Sequence, residues 1–319
     1  MGKANGDLRV FPLSSHPDLA NRISDTLEIS RGNIKLSRFS CGELYTRVME
    51  NIRGHEVYLV QTTTADVNND VLELLIAVDS CKRASASSIN VIVPHYPYSR
   101  QDKKSASREP ITGRLIANLL EAAGIDRIIT MDLHADQIQG FFNVPVDHLN
   151  SLVLFVKYFR SIVGARPADY VVVSPDTGRA KACKRLSDKL GVDLAILHKS
   201  RPEHNVSEIL HVIGRVKDKS CILFDDIIDT AGSIQNAYNV LVAHGAREVY
   251  VAATHAVFSG PAAERLNGCK FKEIVVTNTI PQNKEQPIKN LSVIDTVPLF
   301  AEVVKRNHRH ASISELYEI

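Results

Sequence analysis

Short apolar runs alternate with helical patterns along the chain. HEVYLVQ (55–61), INVIVP (89–94), RIITMD (127–132), YVVVSP (170–175), DLAILH (193–198), CILFDD (221–226) and EVYVAATH (248–255) are largely apolar and rich in β-branched residues. Such runs predict strands buried on both faces. Between them, NDVLELLIAVDSCKR (69–83), ITGRLIANLLEAAG (111–124), RAKACKRLSDKLG (179–191) and SIQNAYNVLVAHG (233–245) repeat apolar positions at helical spacing. Strand–helix alternation predicts an α/β protein whose mainly parallel sheets are flanked by helices.

The pattern also repeats. LLEAAGIDRIITMDLHA (119–135) aligns without gaps to VLVAHGAREVYVAATHA (240–256), at an offset of 121. This alignment pairs Gly124 with Gly245 and His134 with His255. Upstream, INVIV (89–93) pairs with CILFD (221–225) at an offset of 132, so the first half carries 11 additional residues near RQDKKSASREP (100–110). Two similar α/β domains follow from this, 1–150 and 151–319, the first bearing an inserted flap. The C-terminal tail 304–319 is expected to pack on the first.

The totals narrow the function. A length of 319 residues suits two domains. Basic and acidic residues number 38 and 36, so charge gives no reason to expect nucleic acid or a membrane as partner. Trp is absent, which argues against base-stacking platforms. Cys41, Cys81, Cys183, Cys221 and Cys269 are scattered and odd in number, as expected for reduced thiols in a cytoplasmic protein. The first residues, MGKANGDLRVF, hold no apolar signal core, and no apolar stretch approaches the ~20 residues of a membrane span.

One stretch carries most of the chemistry. In CILFDDIIDTAGS (221–233) a buried strand ends on Asp225 and Asp226, and a turn, Asp229-Thr230-Ala231-Gly232-Ser233, leads into a helix. That helix places Ile234, Ala237, Tyr238, Leu241 and Val242 on one face. Free N–H groups and the dipole at a helix start hold a phosphate. Adjacent carboxylates repel phosphate but accept hydrogen bonds from sugar hydroxyls. Strand residues alternate faces, so one of the two reaches a ligand directly unless the chain is already turning.

FDDIIDTAGS resembles the ribose-5-phosphate loop of ribose-phosphate pyrophosphokinases, a loop type shared with type I phosphoribosyltransferases. SRQDKKSASREPIT (99–112) resembles the ATP-binding flap of the pyrophosphokinases. MDLHADQIQGFF (131–142) resembles their metal-and-nucleotide segment, and RFSCGELYTRV (38–48) their adenine-contacting hairpin. VSPDTGRAKA (173–182) and LHKSR (197–201) resemble the metal and catalytic-arm segments. The resemblance runs in family order from about Arg9 to Tyr317.

It implies two phosphoribosyltransferase-like domains and diphosphoryl transfer from ATP, with Mg²⁺ as cofactor, to the anomeric hydroxyl of ribose 5-phosphate. It implies Lys199 and Arg201 as the catalytic arm, and ATP held by Phe39, Glu43, Arg100, Gln101, Asp102 and His134. Metal positions fall on His134, Asp176 and Asp132, and the sugar phosphate on Asp225, Asp226, Asp229, Thr230, Ala231, Gly232 and Ser233. No Walker-type or G-x-G-x-x-G loop is present, so cationic arms must hold the triphosphate. In the family the hairpin reaches a neighbouring subunit, which implies a homo-oligomer of dimers, a hexamer.

Departures from the family pattern bear on regulation by phosphate and ADP as effectors. Ser105 stands where phosphate-activated members have an acid, Asp136 where they have Ser, Cys41-Gly42 where Asn-Gln is common, and SPDTGRA where SPDAGGA is commoner. Ser312, Ser314 and Arg53 still fit the allosteric pattern. Weaker phosphate activation is expected. A type I phosphoribosyltransferase and a non-catalytic regulatory paralogue stand as alternatives. The paired halves and the flap argue against the first, and the presence of both Lys199 and Arg201 against the second.

Overall fold

The computed structural model describes residues 7–200, 209–283 and 285–317. The chain divides into two compact units: Met1–Asn150, Thr279–Pro281 and Asp295–Ile319 form unit 1, and Ser151–Asn278 with Gln282–Ile294 form unit 2.

Unit 1 begins with β1 (Leu8–Pro12), α1 (Pro17–Thr26), β2 (Ile34–Arg38), β3 (Leu44–Val48) and β4 (Glu56–Val60). It continues with α2 (Val67–Arg83), β5 (Ser88–Ile92), α3 (Thr112–Ala123), β6 (Arg127–Met131) and β7 (Val146–Leu149). Its sheet runs β1-β4-β5-β6-β7, all parallel, while β2 and β3 pair antiparallel as a separate hairpin.

Unit 2 holds α4 (Leu152–Val163), β8 (Tyr170–Ser174), α5 (Ala180–Leu190), β9 (Asp193–Ser200), β10 (Ile209–Ile213) and β11 (Ser220–Ile228). Then come α6 (Gly232–Ala243), β12 (Glu248–Ala256), α7 (Ala262–Gly268), β13 (Glu273–Thr277) and β14 (Leu291–Ile294). Its sheet runs β10-β9-β8-β11-β12-β13-β14, parallel except where β10 pairs with β9. The last helix, α8 (Val297–His308), belongs to unit 1.

The alternation of strand side chains sorts each core into two layers. In β4, Val57 and Leu59 pack with Leu74, Val78, Ile116 and Leu120 of α2 and α3. Tyr58 and Val60 face the other way, with Leu19 and Ile23 of α1 and Phe300 and Val304 of α8. In β8, Val171 and Val173 join Ile234, Leu241 and Leu266 of α6 and α7. Val172 joins Phe155, Phe159 and Leu186 of α4 and α5. Strands buried on both faces account for the uninterrupted apolar runs of the sequence.

Polar anchors fix the far end of α8. Asn307 donates to Asp147 Oδ2 at 2.7 Å, and Arg127 to Asp147 Oδ1 at 2.8 Å. His308 Nδ1 lies 2.7 Å from Glu56 Oε2, so this histidine helps dock the helix.

The fold moves the register of the internal repeat. Taken in chain order, β1 to β7 match β8 to β14 one for one, each series with a hairpin at its second and third strands. Strand β5 then corresponds to β12, not to β11, and α3 to α7. The pairing of 119–135 with 240–256 is therefore one strand–helix unit out of step, because every such unit carries the same helix–glycine–strand pattern. The flap keeps its place: β5 ends at Ile92 and α3 begins at Thr112, whereas only Val257 to Pro261 join β12 to α7. The match of His134 with His255 disappears, since His255 is buried within β12 and His134 is exposed.

The docking of α8 sets a stability prediction. Phe300 is fully buried, and Phe300→Ala is expected to cost about 3–5 kcal/mol. Equilibrium urea unfolding should show a lower midpoint.

Candidate active site

In the second unit the parallel strands lie in the order β9-β8-β11-β12-β13, in which the first strand of the series stands between the second and the fourth. Chain direction switches between β8 and β11, and ligands of such sheets bind beyond the carboxyl ends of the strands at this switch. The two segments that leave there are 175–179 and 229–231.

Strand β11 is longer than expected. It runs through Ile228, so Asp225 and Asp226 lie inside it rather than at its end. The turn after it is three residues long. Ala231 adopts φ +59°, a left-handed backbone that a non-glycine residue enters only when its surroundings impose it, and α6 starts at Gly232. The first turn of α6 carries no acidic residue, so its N–H groups and dipole meet no internal anion from their own helix.

Neighbouring loops brace the turn. Ser259 donates to Asp229 through its hydroxyl, and its N–H bonds Asp229 O at 3.1 Å. Arg265 Nη1 donates to Thr230 O at 2.9 Å. A Cβ at Gly232 would stand 3.3 Å from Arg265 Nη1, so glycine leaves room for this guanidinium. Ile234, Ala237 and Leu241 of α6 are buried as expected, and Tyr238 packs edge-on against Phe271 at 4.8 Å. Val242, expected on the same face, is exposed, because a short helix over a twisted sheet covers a narrower stripe.

The segment after β8 faces the two carboxylates. Arg179 Nε stands 3.8 Å from Asp225 Oδ1 and 3.9 Å from Asp226 Oδ1. One guanidinium thus serves both acids. Asp176 accepts a hydrogen bond from Arg179 N at 3.0 Å, which fixes the start of α5. Burial, and then the charge of Asp226, push the Asp225 carboxyl well above the ordinary value, and Arg179 pulls it back. Beneath the pair, Cys183 Sγ contacts Phe224 O at 3.3 Å, and burial pushes this thiol up to about 12. It is a packing residue.

Lys199 lies within β9, opposite Leu210 of β10, rather than after the strand. Arg201 falls outside the described residues.

In unit 1, Phe39 and Glu43 are exposed at the tip of the β2–β3 hairpin. Phe39 N donates to Glu43 O at 2.9 Å, and the Phe39 ring meets Tyr45 edge-on at 5.7 Å. The phenyl group is therefore presented outward, not built into a core. Arg100 and Gln101 are exposed at the root of the flap, with Asp102 half-buried beside them. Gln101 O accepts from Gly113 N at 3.1 Å, which ties the flap to the first turn of α3. Within the flap Glu109 accepts from Ser105 N and Ala106 N, both at 2.8 Å. Asp132 follows β6 with φ +40° and is buried, and His134, two residues on, is exposed.

The metal candidates fall in both units, Asp132 and His134 in the first and Asp176 in the second. Among the described residues no group of three or more His, Cys, Asp or Glu side chains could hold a metal by itself. Sparse carboxylate donors fit Mg²⁺, which keeps waters and takes substrate phosphates rather than entering an all-protein cage.

Arg179, Arg265 and Ser259 complete the arrangement but were not among the expected site residues. SPDTGR marked the position of Arg179 without revealing its partners. Arg265 and Ser259 gave no signal in the sequence.

Strand order defines both units as phosphoribosyltransferase-like α/β folds, and unit 2 adds a tight turn at the switch point that leads into an acid-free helix start. Residues 8–124 match the model for the N-terminal domain of ribose phosphate pyrophosphokinase, and residues 202–318 that for the phosphoribosyl synthetase-associated domain. The ribose-phosphate pyrophosphokinase of Bacillus subtilis (strain 168) is 46% identical over 319 residues, which is 99% of this chain and 100% of that protein. That of Clostridium tetani is 44% identical over 311 residues, covering 98% of this chain and 97% of the relative. The crystal structure of phosphoribosylpyrophosphate synthetase from Mycobacterium smegmatis superposes with a TM-score of 0.91 at 42% identity, covering 96% of this chain and 100% of that one. The chain belongs to the ribose-phosphate pyrophosphokinase family.

The raised Asp225 carboxyl makes a pH-dependent prediction. The folded chain holds this proton more tightly than the unfolded chain does. The stability tied to it is full below the unfolded value of 3.8 and is lost as pH rises through the higher folded value. Asp225→Asn cannot ionise, so it should raise the thermal midpoint at neutral pH by about 2–4 °C. The gain should vanish near about pH 4. Scanning calorimetry across that range checks both the sign and the window.

Proposed function

We propose that this chain is an active diphosphokinase that moves the β,γ-diphosphoryl group of ATP to the anomeric hydroxyl of ribose 5-phosphate. The new bond joins the C1 oxygen to the β-phosphorus. The bond between that phosphorus and the α,β-bridging oxygen breaks, and AMP leaves. The product, 5-phosphoribosyl 1-diphosphate, supplies nucleotide biosynthesis. The observation that carries this reading is the turn at 229–231, which opens an acid-free helix start immediately after two carboxylates in the central strand.

The roles follow from the chemistry of each group. Backbone N–H groups and hydroxyls of Asp229, Thr230, Ala231, Gly232 and Ser233 receive the 5-phosphate. Asp225 and Asp226 accept the ribose hydroxyls, which orients the ring and leaves C1 turned outward. In unit 1 the outward Phe39 ring stacks on adenine, and Glu43 accepts from its exocyclic amine. Arg100, Gln101 and Asp102 hold the triphosphate, and the flap closes to exclude water. Asp132 and His134 would hold Mg²⁺ in unit 1, and Asp176 would serve a second metal position in unit 2. When bound, the metal offsets phosphate charge in the transition state. Lys199 and Arg201 bring two further cations, a point charge and a forked donor, to the migrating group. Function as a cytoplasmic homo-oligomer accords with the outward hairpin and with free thiols throughout.

The presence of Lys199 favours activity over a regulatory role without catalysis. Purified chain given ATP, ribose 5-phosphate and Mg²⁺ should release AMP in step with 5-phosphoribosyl 1-diphosphate, resolved by anion-exchange chromatography. Absence of AMP across a range of phosphate concentrations would sink the proposal. Lys199→Ala should lower turnover by about 10²–10³-fold with the ribose 5-phosphate dissociation constant little changed. Near-normal turnover would remove Lys199 from the catalytic arm.

A further inference from the structure

The proposed activity assigns Asp225 and Asp226 to the sugar, but it leaves Arg179 without a task. Its guanidinium is the cation placed within ion-pair distance of both carboxylates, at 3.8 and 3.9 Å. The side chain is 18% exposed, and its Cζ lies 5.8 Å from the centroid of the Phe224 ring. Its position is fixed from the backbone, since its N–H is held by Asp176 at the first turn of α5. The pair is open at one end: the Asp225 side chain is 19% exposed, while that of Asp226 is 6% exposed and lies behind it. Two acids this close repel each other, and without a fixed counter-charge they spread apart or share a proton. Either change spoils a pair of acceptors spaced for neighbouring hydroxyls.

We propose that Arg179 is a positioning residue for sugar recognition, holding Asp225 and Asp226 together as the acceptors that read the adjacent 2- and 3-hydroxyls of ribose 5-phosphate. This rests on the function proposed above. Arg179 does not touch the sugar. It sets the spacing and charge of the groups that do, and so it sets the preference for a ribose over a deoxyribose phosphate. A site built to bond a hydroxyl rejects the analogue lacking it, provided its own polar groups stay in place.

Initial rates with ribose 5-phosphate and with 2-deoxyribose 5-phosphate test this for the wild type, Arg179→Gln and Arg179→Lys. Glutamine keeps polarity and drops the charge. Arg179→Gln should lose at least about tenfold in kcat/KM for ribose 5-phosphate, chiefly through KM. The KM for ATP should stay within about twofold, and discrimination against the deoxy sugar should narrow by about tenfold. Arg179→Lys should recover most of both losses. Equal losses on the two sugars, a parallel rise in the KM for ATP, or an unchanged KM for ribose 5-phosphate would overturn the assignment. If Arg179→Gln does not fold, discrimination kept by Arg179→Lys supports the role, and its loss overturns it. Wild-type protein that releases no AMP would count against the proposed activity instead. Calorimetric titration with ribose 5-phosphate then decides the present point, weaker binding by Arg179→Gln supporting it and equal binding overturning it.

Discussion

Two like charges set side by side in a buried strand govern the architecture of unit 2. Asp226 is buried and Asp225 only partly exposed, and water alone cannot pay for their solvation there. The fold answers with Arg179, delivered from the segment after the neighbouring strand β8, and with an opening toward solvent beside Asp225. The switch in chain direction between β8 and β11 makes this delivery geometrically simple, because both strands end on the same side and their loops diverge. The tight turn at Ala231 then brings the start of α6 close to the same acids. A sheet that would otherwise be an inert core thus ends in two anions and a helix start close in sequence, with a cation that the fold brings to them from 46 residues away.

The first half of the chain builds the same frame and closes it. The turn after β4 leads into α2, whose first turn contains Asp70. Its Oδ2 accepts from both Thr64 N and Thr64 Oγ1 at 2.8 Å. Glu73, one turn further on, accepts from Ser14 N at 2.8 Å in the loop after β1. The donors that an anionic ligand would use are met by carboxylates of the protein itself. Burial raises the Asp70 carboxyl above its ordinary value, and the bonds from Thr64 hold it down. The turn after β4 in unit 1 is therefore a structural support, closed by the protein's own acids.

Much of this was legible in the sequence. The seven apolar runs became strands, and the four helical patterns became helices, since burial on both faces and a clear apolar stripe are properties of local sequence. The stretch from Cys221 to Ser233 announced its local structure because strand, turn and helix start are contiguous. Less local features were hidden. Strands β7 and β14, at four residues each, are too short to stand out, and α8 shows its partner only once β1 and β4 are folded beneath it. Arg179 stands 46 residues before Asp225, and nothing along the chain links them. The end of β11 moved past the two acids because β12 continues beside it to Ala256. The internal repeat was visible, but its register slipped by one unit, as similarity between α/β units is set by packing rules more than by descent.

The boundary of the repeat and the boundary of packing do not coincide. Helix α4 follows the last strand of the first series yet packs in unit 2, and α8 follows the last strand of the second series yet packs in unit 1. Each half lends its closing helix to the other. Chain halves severed at the repeat would each lose one of the two helices that cover a sheet face, leaving α1 or α5 to shield that face alone and part of its apolar surface open to water.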